Sequence, residues 1–95
     1  MPKKYKRTKI EILLDILKSI VANPNSCVSR LSLKSNYDYN YLLPVLLKLN
    51  DKGFVSLKFT VVKSEKSRRI IVQGLTPKGI AFMKDLEFIV NELRR

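Results

Sequence analysis

The hydrophobic rhythm of the chain changes twice, at Gly53 and again at Thr76, and each change removes most of the folds open to a 95-residue polypeptide. Before Gly53 apolar residues recur at three- and four-residue steps, the stripe of an amphipathic helix. Ile10, Leu13, Leu14, Leu17, Ile20 and Val21 form the first such stripe. Thr8 with Glu11 fits a capping box at its start, and Asn23-Pro24-Asn25 stops it, because proline cannot continue the hydrogen-bond ladder. A short second helix is predicted from about Cys27 to Lys34, with Ser26 as its cap and Val28 and Leu31 inward. A third runs from roughly Tyr41 to Lys52, burying Leu42, Val45, Leu46 and Leu49 and closing at Gly53. Pro44 is tolerated in a first helical turn, so this helix is expected to start no earlier than Asn40.

After Gly53 the pattern becomes that of a strand: Phe54-Val55-Ser56-Leu57-Lys58-Phe59-Thr60-Val61-Val62 is rich in β-branched and aromatic residues and partly alternates. Ile70-Ile71-Val72 begins a second such run, and the basic tip Lys63 to Arg69 between them makes the pair a hairpin. Thr76-Pro77 then restores a helix, threonine as cap and proline at the first helical position. The last stripe, Phe82, Met83, Leu86, Ile89, Val90 and Leu93, continues past what one small domain covers, so it is read as a dimer seam; packing against the first helix is the competing reading.

Charge narrows the partner. Nineteen Lys and Arg against eight Asp and Glu give a net charge of +11, and a symmetric dimer carries twice that. A compact domain so basic attracts polyanions, nucleic acid first, with an anionic membrane surface or an acidic protein as alternatives. With no histidine and a single cysteine, Cys27, the usual zinc and iron sites and any internal disulfide are excluded, and no cofactor is expected. The eight acids are scattered without a paired cluster and no phosphate loop or nucleophile motif accompanies them, so no enzymatic activity is expected. The basic start is followed by Glu11 and Asp15, which predicts neither a signal peptide nor a membrane span and places the protein in the cytoplasm, on the nucleoid.

Helix, helix, turn, helix, basic hairpin, helix is the order of a winged helix. Gly53-Phe54-Val55, the hairpin and Leu75-Thr76-Pro77-Lys78-Gly79-Ile80-Ala81-Phe82 resemble the archaeal winged helix-turn-helix family that includes small dimeric DNA-binding proteins of Sulfolobales. Lys9-Ile10-Glu11-Ile12 with Ile16-Leu17, and Ser35-Asn36-Tyr37-Asp38-Tyr39, also fall where that family has similar residues. The resemblance spans about residues 7 to 93. It implies an α+β fold with a helix-turn-helix core, a two-stranded wing and a C-terminal helix that pairs with its twofold mate as a coiled coil. The last helix is shorter here than in the long-coiled members, and the wing is longer.

The resulting division is a flexible basic arm over 1–7, a DNA-binding domain over 8–76 and a dimerisation helix over 77–95. Phosphates call for mobile cations, and base edges for short polar side chains at the front of a groove-entering helix. Lys34, Asn36, Tyr37, Asn40 and Tyr41 surround the entry to the third helix, and Lys48 lies further along it. Asn40 is the preferred base reader, since its amide can pair bidentately with adenine; a role in capping competes. Lys63, Lys66, Arg68 and Arg69 suit phosphate or minor-groove contacts, and Lys3, Lys4, Lys6 and Arg7 of the arm can add more. The expected partners are double-stranded DNA and a second copy of the chain, as a regulator or a chromatin-type protein. A protein-interaction module of the transcription machinery is the alternative.

Overall fold

A computed structural model describes residues 8–62 and 67–94, of which 61, 62, 67 and 68 are described in backbone only. The chain folds as α1 (Lys9–Ala22), β1 (Ser26–Cys27), α2 (Val28–Ser35), α3 (Tyr39–Asp51), β2 (Val55–Val62), β3 (Ser67–Leu75) and α4 (Pro77–Leu93). The four helices and the hairpin follow the predicted order, and the α+β winged-helix architecture is as expected. The core gathers Leu14, Ile16, Leu17 and Ile20 of α1, Val28 and Leu31 of α2, and Leu42, Leu46 and Leu49 of α3. Val55, Val72, Leu86 and Val90 complete it. Val21, assigned to the first stripe, is 53% exposed, and Ile16 takes a place in the core instead.

Helix α1 begins with the predicted capping box: the Thr8 hydroxyl accepts from the Glu11 N–H, and the Glu11 carboxylate accepts from the Thr8 N–H. Glu11 is also buried and meets the Arg94 guanidinium at 2.8 Å. Arg94 and the Thr8 hydrogen bonds favour the charged carboxylate and hold its pKa down at about 2, against an ordinary 4.5. Because Lys18 also approaches Glu87 at 3.8 Å, α1 and α4 run antiparallel, joined by ion pairs at two levels.

Three expectations are corrected. Ser26 does not cap α2: it is buried in β1, which pairs antiparallel with β3 through Ser26↔Val72 and Cys27↔Ile71. Cys27 is the N-cap residue and makes no side-chain cap hydrogen bond. The sheet is therefore three-stranded in the order β1-β3-β2, with β2 at an edge. Second, α3 starts at Tyr39, two residues before the predicted Tyr41, so Pro44 lies inside the helix. Asp38 accounts for the early start: its carboxylate accepts from the Asn40 N–H at 3.1 Å and its carbonyl from Tyr41 and Leu42. Third, the hairpin pairs out to Val62↔Ser67, so Arg68 and Arg69 belong to β3 and not to the loop.

The sequence around Gly53 and Thr76 builds one joint. Gly53, at φ +82°, ends α3: its N–H donates to the Asn50 carbonyl and that of Phe54 to the Leu49 carbonyl, the paired bonds of a Schellman cap. Across from it Thr76 caps α4 by accepting from the Gly79 N–H at 3.0 Å and donates its hydroxyl to the Gly53 carbonyl at 2.6 Å. The Thr76 N–H donates to the Phe54 carbonyl at 3.0 Å, and the Lys78 ammonium to the Lys52 carbonyl, also at 3.0 Å. The Phe54 and Phe82 rings stack with centroids 4.3 Å apart. Thus the end of α3, the root of the hairpin and the start of α4 are tied at a single point. A β-bulge next to it, where Ser56 pairs with Gly74 but Leu57 with Val72, leaves Gln73 as the extra residue.

Candidate nucleic-acid interface

The segment from α2 to α3 forms a tight turn. Asn36 closes α2 in the left-handed region at φ +62°, the Ser32 hydroxyl donates to the Tyr37 carbonyl, and the Tyr37 hydroxyl donates to Asp15 of α1 at 3.2 Å. Tyr37 is thereby half-buried against the core, its hydroxyl turned to α1 rather than outward. Its ring lies 6.1 Å from that of Tyr41. The turn fixes how far α3 stands out from the body.

Leu42, Leu46 and Leu49 bury one side of α3. On the opposite side Asn40, Pro44, Leu47 and Asp51 follow one another at helical spacing, all exposed, with Tyr41 and Lys48 exposed on the adjoining ridge. Asn40 lies in the first turn. Its backbone N–H is engaged by Asp38, so Asp38 does the capping and the exposed Asn40 amide is not needed for it.

The hairpin meets this region at its base. Arg69, paired with Thr60 across the hairpin, lines a cleft of about 240 Å³ together with Cys27, Val28 and Ser29 at the start of α2, Tyr39 at the start of α3, and Ile70. One cation of β3 and the first turns of both helices thus share one surface. Lys34 lies apart, in a polar cleft with Asp15, Lys18, Ser19, Asn23 and Tyr37 on the α1 side. Lys3, Lys4, Lys6 and Arg7 of the arm, Lys63 and Lys66 of the tip, and the Arg68 side chain lie outside the described residues.

Arg30 on α2, Lys58 on β2, and Pro44 and Leu47 on α3 are exposed too, and their sequence pattern assigned none of them a role in contacting DNA. Leu47 was detectable in principle. It falls off the spacing of Leu42, Leu46 and Leu49, so it had to point elsewhere.

The residues assigned to the dimer seam divide. Leu86 and Val90 are buried in the protomer's own core, Phe82 and Met83 pack against it, and Ile89 and Leu93 are exposed. The packing of α4 on α1 is therefore real for the first set. Phe88, at 66% exposure, joins Ile89 and Leu93 on the outside. Among the described residues no helix is long and apolar enough to cross a membrane, and no three potential metal ligands cluster.

Known proteins share this fold. In structure the chain is similar to the PcaV transcriptional regulator from Streptomyces coelicolor in complex with its natural ligand, with a TM-score of 0.67 and 16% identity over 96% of this chain. It spans 60% of the PcaV chain. It is also similar to AF1382 from Archaeoglobus fulgidus, with a TM-score of 0.63 and 19% identity, covering 96% of this chain and 92% of that one. Among curated proteins none matches it in sequence. The model of the winged helix-turn-helix family matches residues 6–94, the whole of the helical core, the wing and α4, and the chain belongs to that family.

Proposed function

We propose that the protein binds duplex DNA as a homodimer, with α3 in the major groove and the basic hairpin on the flanking backbone or minor groove, acting as a transcriptional regulator or chromatin-type protein without catalysis. The observation that carries this reading is the exposed face of α3 beside the wing base in a chain of net charge +11. Tyr41, Lys48 and Arg69 flank that face, and Asn40 stands at its front. Phosphate contacts supply affinity and position, while base contacts supply discrimination.

Dimerisation is assigned to the outer side of α4, where Phe88, Ile89 and Leu93 expose apolar surface in a helix otherwise packed on α1. A second copy docking there spaces two reading heads on one duplex. The competing role, docking onto a protein of the transcription machinery, draws on the apolar Pro44 and Leu47 of α3.

Fluorescence anisotropy against random duplex and single-stranded DNA at several salt concentrations tests the proposal. The expected result is duplex binding whose log K falls with log salt by about 0.9 per phosphate neutralised. Arg69→Glu is expected to weaken it. Weak binding to both nucleic acids at low salt refutes the reading and assigns the charge to another polyanion.

A further inference from the structure

We infer that α3 reads the 5-methyl groups of thymine, so that this protein prefers A·T-rich duplex; the inference rests on the proposed insertion of α3 into the major groove. The outward ridge of the helix is unusual for a base-reading surface. Between Asn40 at its head and Asp51 at its far end it presents Pro44 and Leu47, two side chains with no hydrogen-bonding group, and Leu47 is 40% exposed. Proline is the costliest residue a helix interior can hold, and here it faces outward, where core packing offers nothing in return.

In the major groove three of the four bases offer only donors and acceptors at their edges. Thymine alone adds an apolar group, its C5 methyl. An apolar ridge set against polar edges would leave those edges desolvated and unpaired, whereas against thymine it buries methyl on methylene. Asn40 at the head of the same ridge matches adenine, through its N6 and N7, so both halves of the ridge select the same base pair. The seven helical steps from Asn40 to Leu47 rise roughly 10 Å, about three base-pair steps. The ridge therefore spans a short A·T run, with adenine read at one end and thymine methyls toward the other. Cations beside it favour DNA over an apolar protein partner: Lys48 adjoins the ridge and the chain carries +11.

The test is anisotropy with an A·T-rich duplex of about 20 base pairs and its twin in which every dT is replaced by dU, which removes the methyl and leaves the pairing edge intact. Burial of one methyl corresponds to about a fourfold change in affinity, so the wild type should bind the dT duplex roughly 4- to 15-fold more tightly for one or two methyls contacted. Leu47→Ala, an exposed position at which alanine favours the helix, should reduce the difference while leaving the salt slope unchanged. A G·C duplex carrying 5-methylcytosine should bind more tightly than its unmethylated counterpart. Equal binding of the dT and dU duplexes with a steep salt slope overturns methyl reading and leaves duplex binding standing. A dT preference undiminished in both Leu47→Ala and Pro44→Ala also overturns it, since the preference then comes from DNA shape. No duplex binding at all overturns both readings and gives the ridge to a protein.

Discussion

Replacing Gly79 by alanine should unfold the joint between α3, the hairpin and α4, although alanine is the better helix former. Gly79 occupies the third position of α4, where gain in intrinsic propensity stabilises by about 1 kcal/mol. Against this, a Cβ at Gly79 falls 1.9 Å from the Phe54 carbonyl oxygen and 2.8 Å from its carbon. The obstruction is backbone, so no side-chain rotation relieves it, and the first turn of α4 must retreat by more than 1 Å to restore a carbon–oxygen contact of about 3.2 Å. Retreat stretches the Thr76 N–H bond to the Phe54 carbonyl and the Thr76 hydroxyl bond to the Gly53 carbonyl, worth about 1 kcal/mol each. It also separates the stacked Phe54 and Phe82 rings, worth about 1 kcal/mol, and disturbs packing nearby by a further 1–3 kcal/mol. The net loss is about 3–5 kcal/mol. For a domain of this size each kcal/mol moves Tm by roughly 4–8 °C, so a fall of the order of 15 °C or more is expected by circular dichroism melting. A Gly79→Ala protein that melts at or above the wild-type temperature refutes the reasoning, because it shows that α4 sits on Phe54 with room to spare.

Pro44→Ala should stabilise the protein by about 2–3 kcal/mol, because it restores a donor for the Asn40 carbonyl inside α3; an unchanged urea midpoint contradicts this. Glu11 has a folded pKa of about 2, below its ordinary 4.5, so its contribution to stability is complete above pH 4.5 and is lost as the pH falls toward 2. Glu11→Gln should therefore flatten the stability profile between those values, and a slope equal to wild type there disproves the Arg94 clamp. Phe88→Glu with Leu93→Glu should convert a sedimenting dimer into a folded monomer that melts cooperatively below the dimer, whereas Leu86→Lys should unfold the protomer, since Leu86 is 6% exposed. A wild type that sediments as a monomer at micromolar concentration rules out the assigned dimer face.

The long elements were legible because each repeats a period several times over. The stripe of α1, the Thr8–Glu11 box, the Gly53 cap and the Thr76-Pro77 start all stand in the structure as their residue types dictate. What was not legible depends on partners distant in the chain. A two-residue strand has no period, and β1 exists only because Val72 and Ile71 lie beside Ser26 and Cys27. The start of α3 is set by the Asp38 cap and three buried leucines, which together outweigh the limit that Pro44 alone imposes. In α4 a single stripe serves two surfaces, and sequence spacing cannot separate Leu86 and Val90, taken by the core, from Ile89 and Leu93, left outside. For the interface, the residue types were readable but their grouping was not: Arg69 comes beside Tyr39 only through the sheet, while Lys34 turns to the α1 side.

The position of β2 at the rim of the sheet has a colloidal consequence. An eight-residue strand with backbone groups open on one side, and with Phe59 62% exposed, is a template for pairing with a second copy. Lys58 interrupts it, but the main obstacle to such pairing is mutual repulsion between molecules that each carry +11. That repulsion reaches about 30 Å at 0.01 M salt and about 3 Å at 1 M. Solubility of the free protein should therefore fall as salt rises, and the polyanion that the charge attracts should, near charge balance, bring the open edges of neighbouring copies within reach of each other.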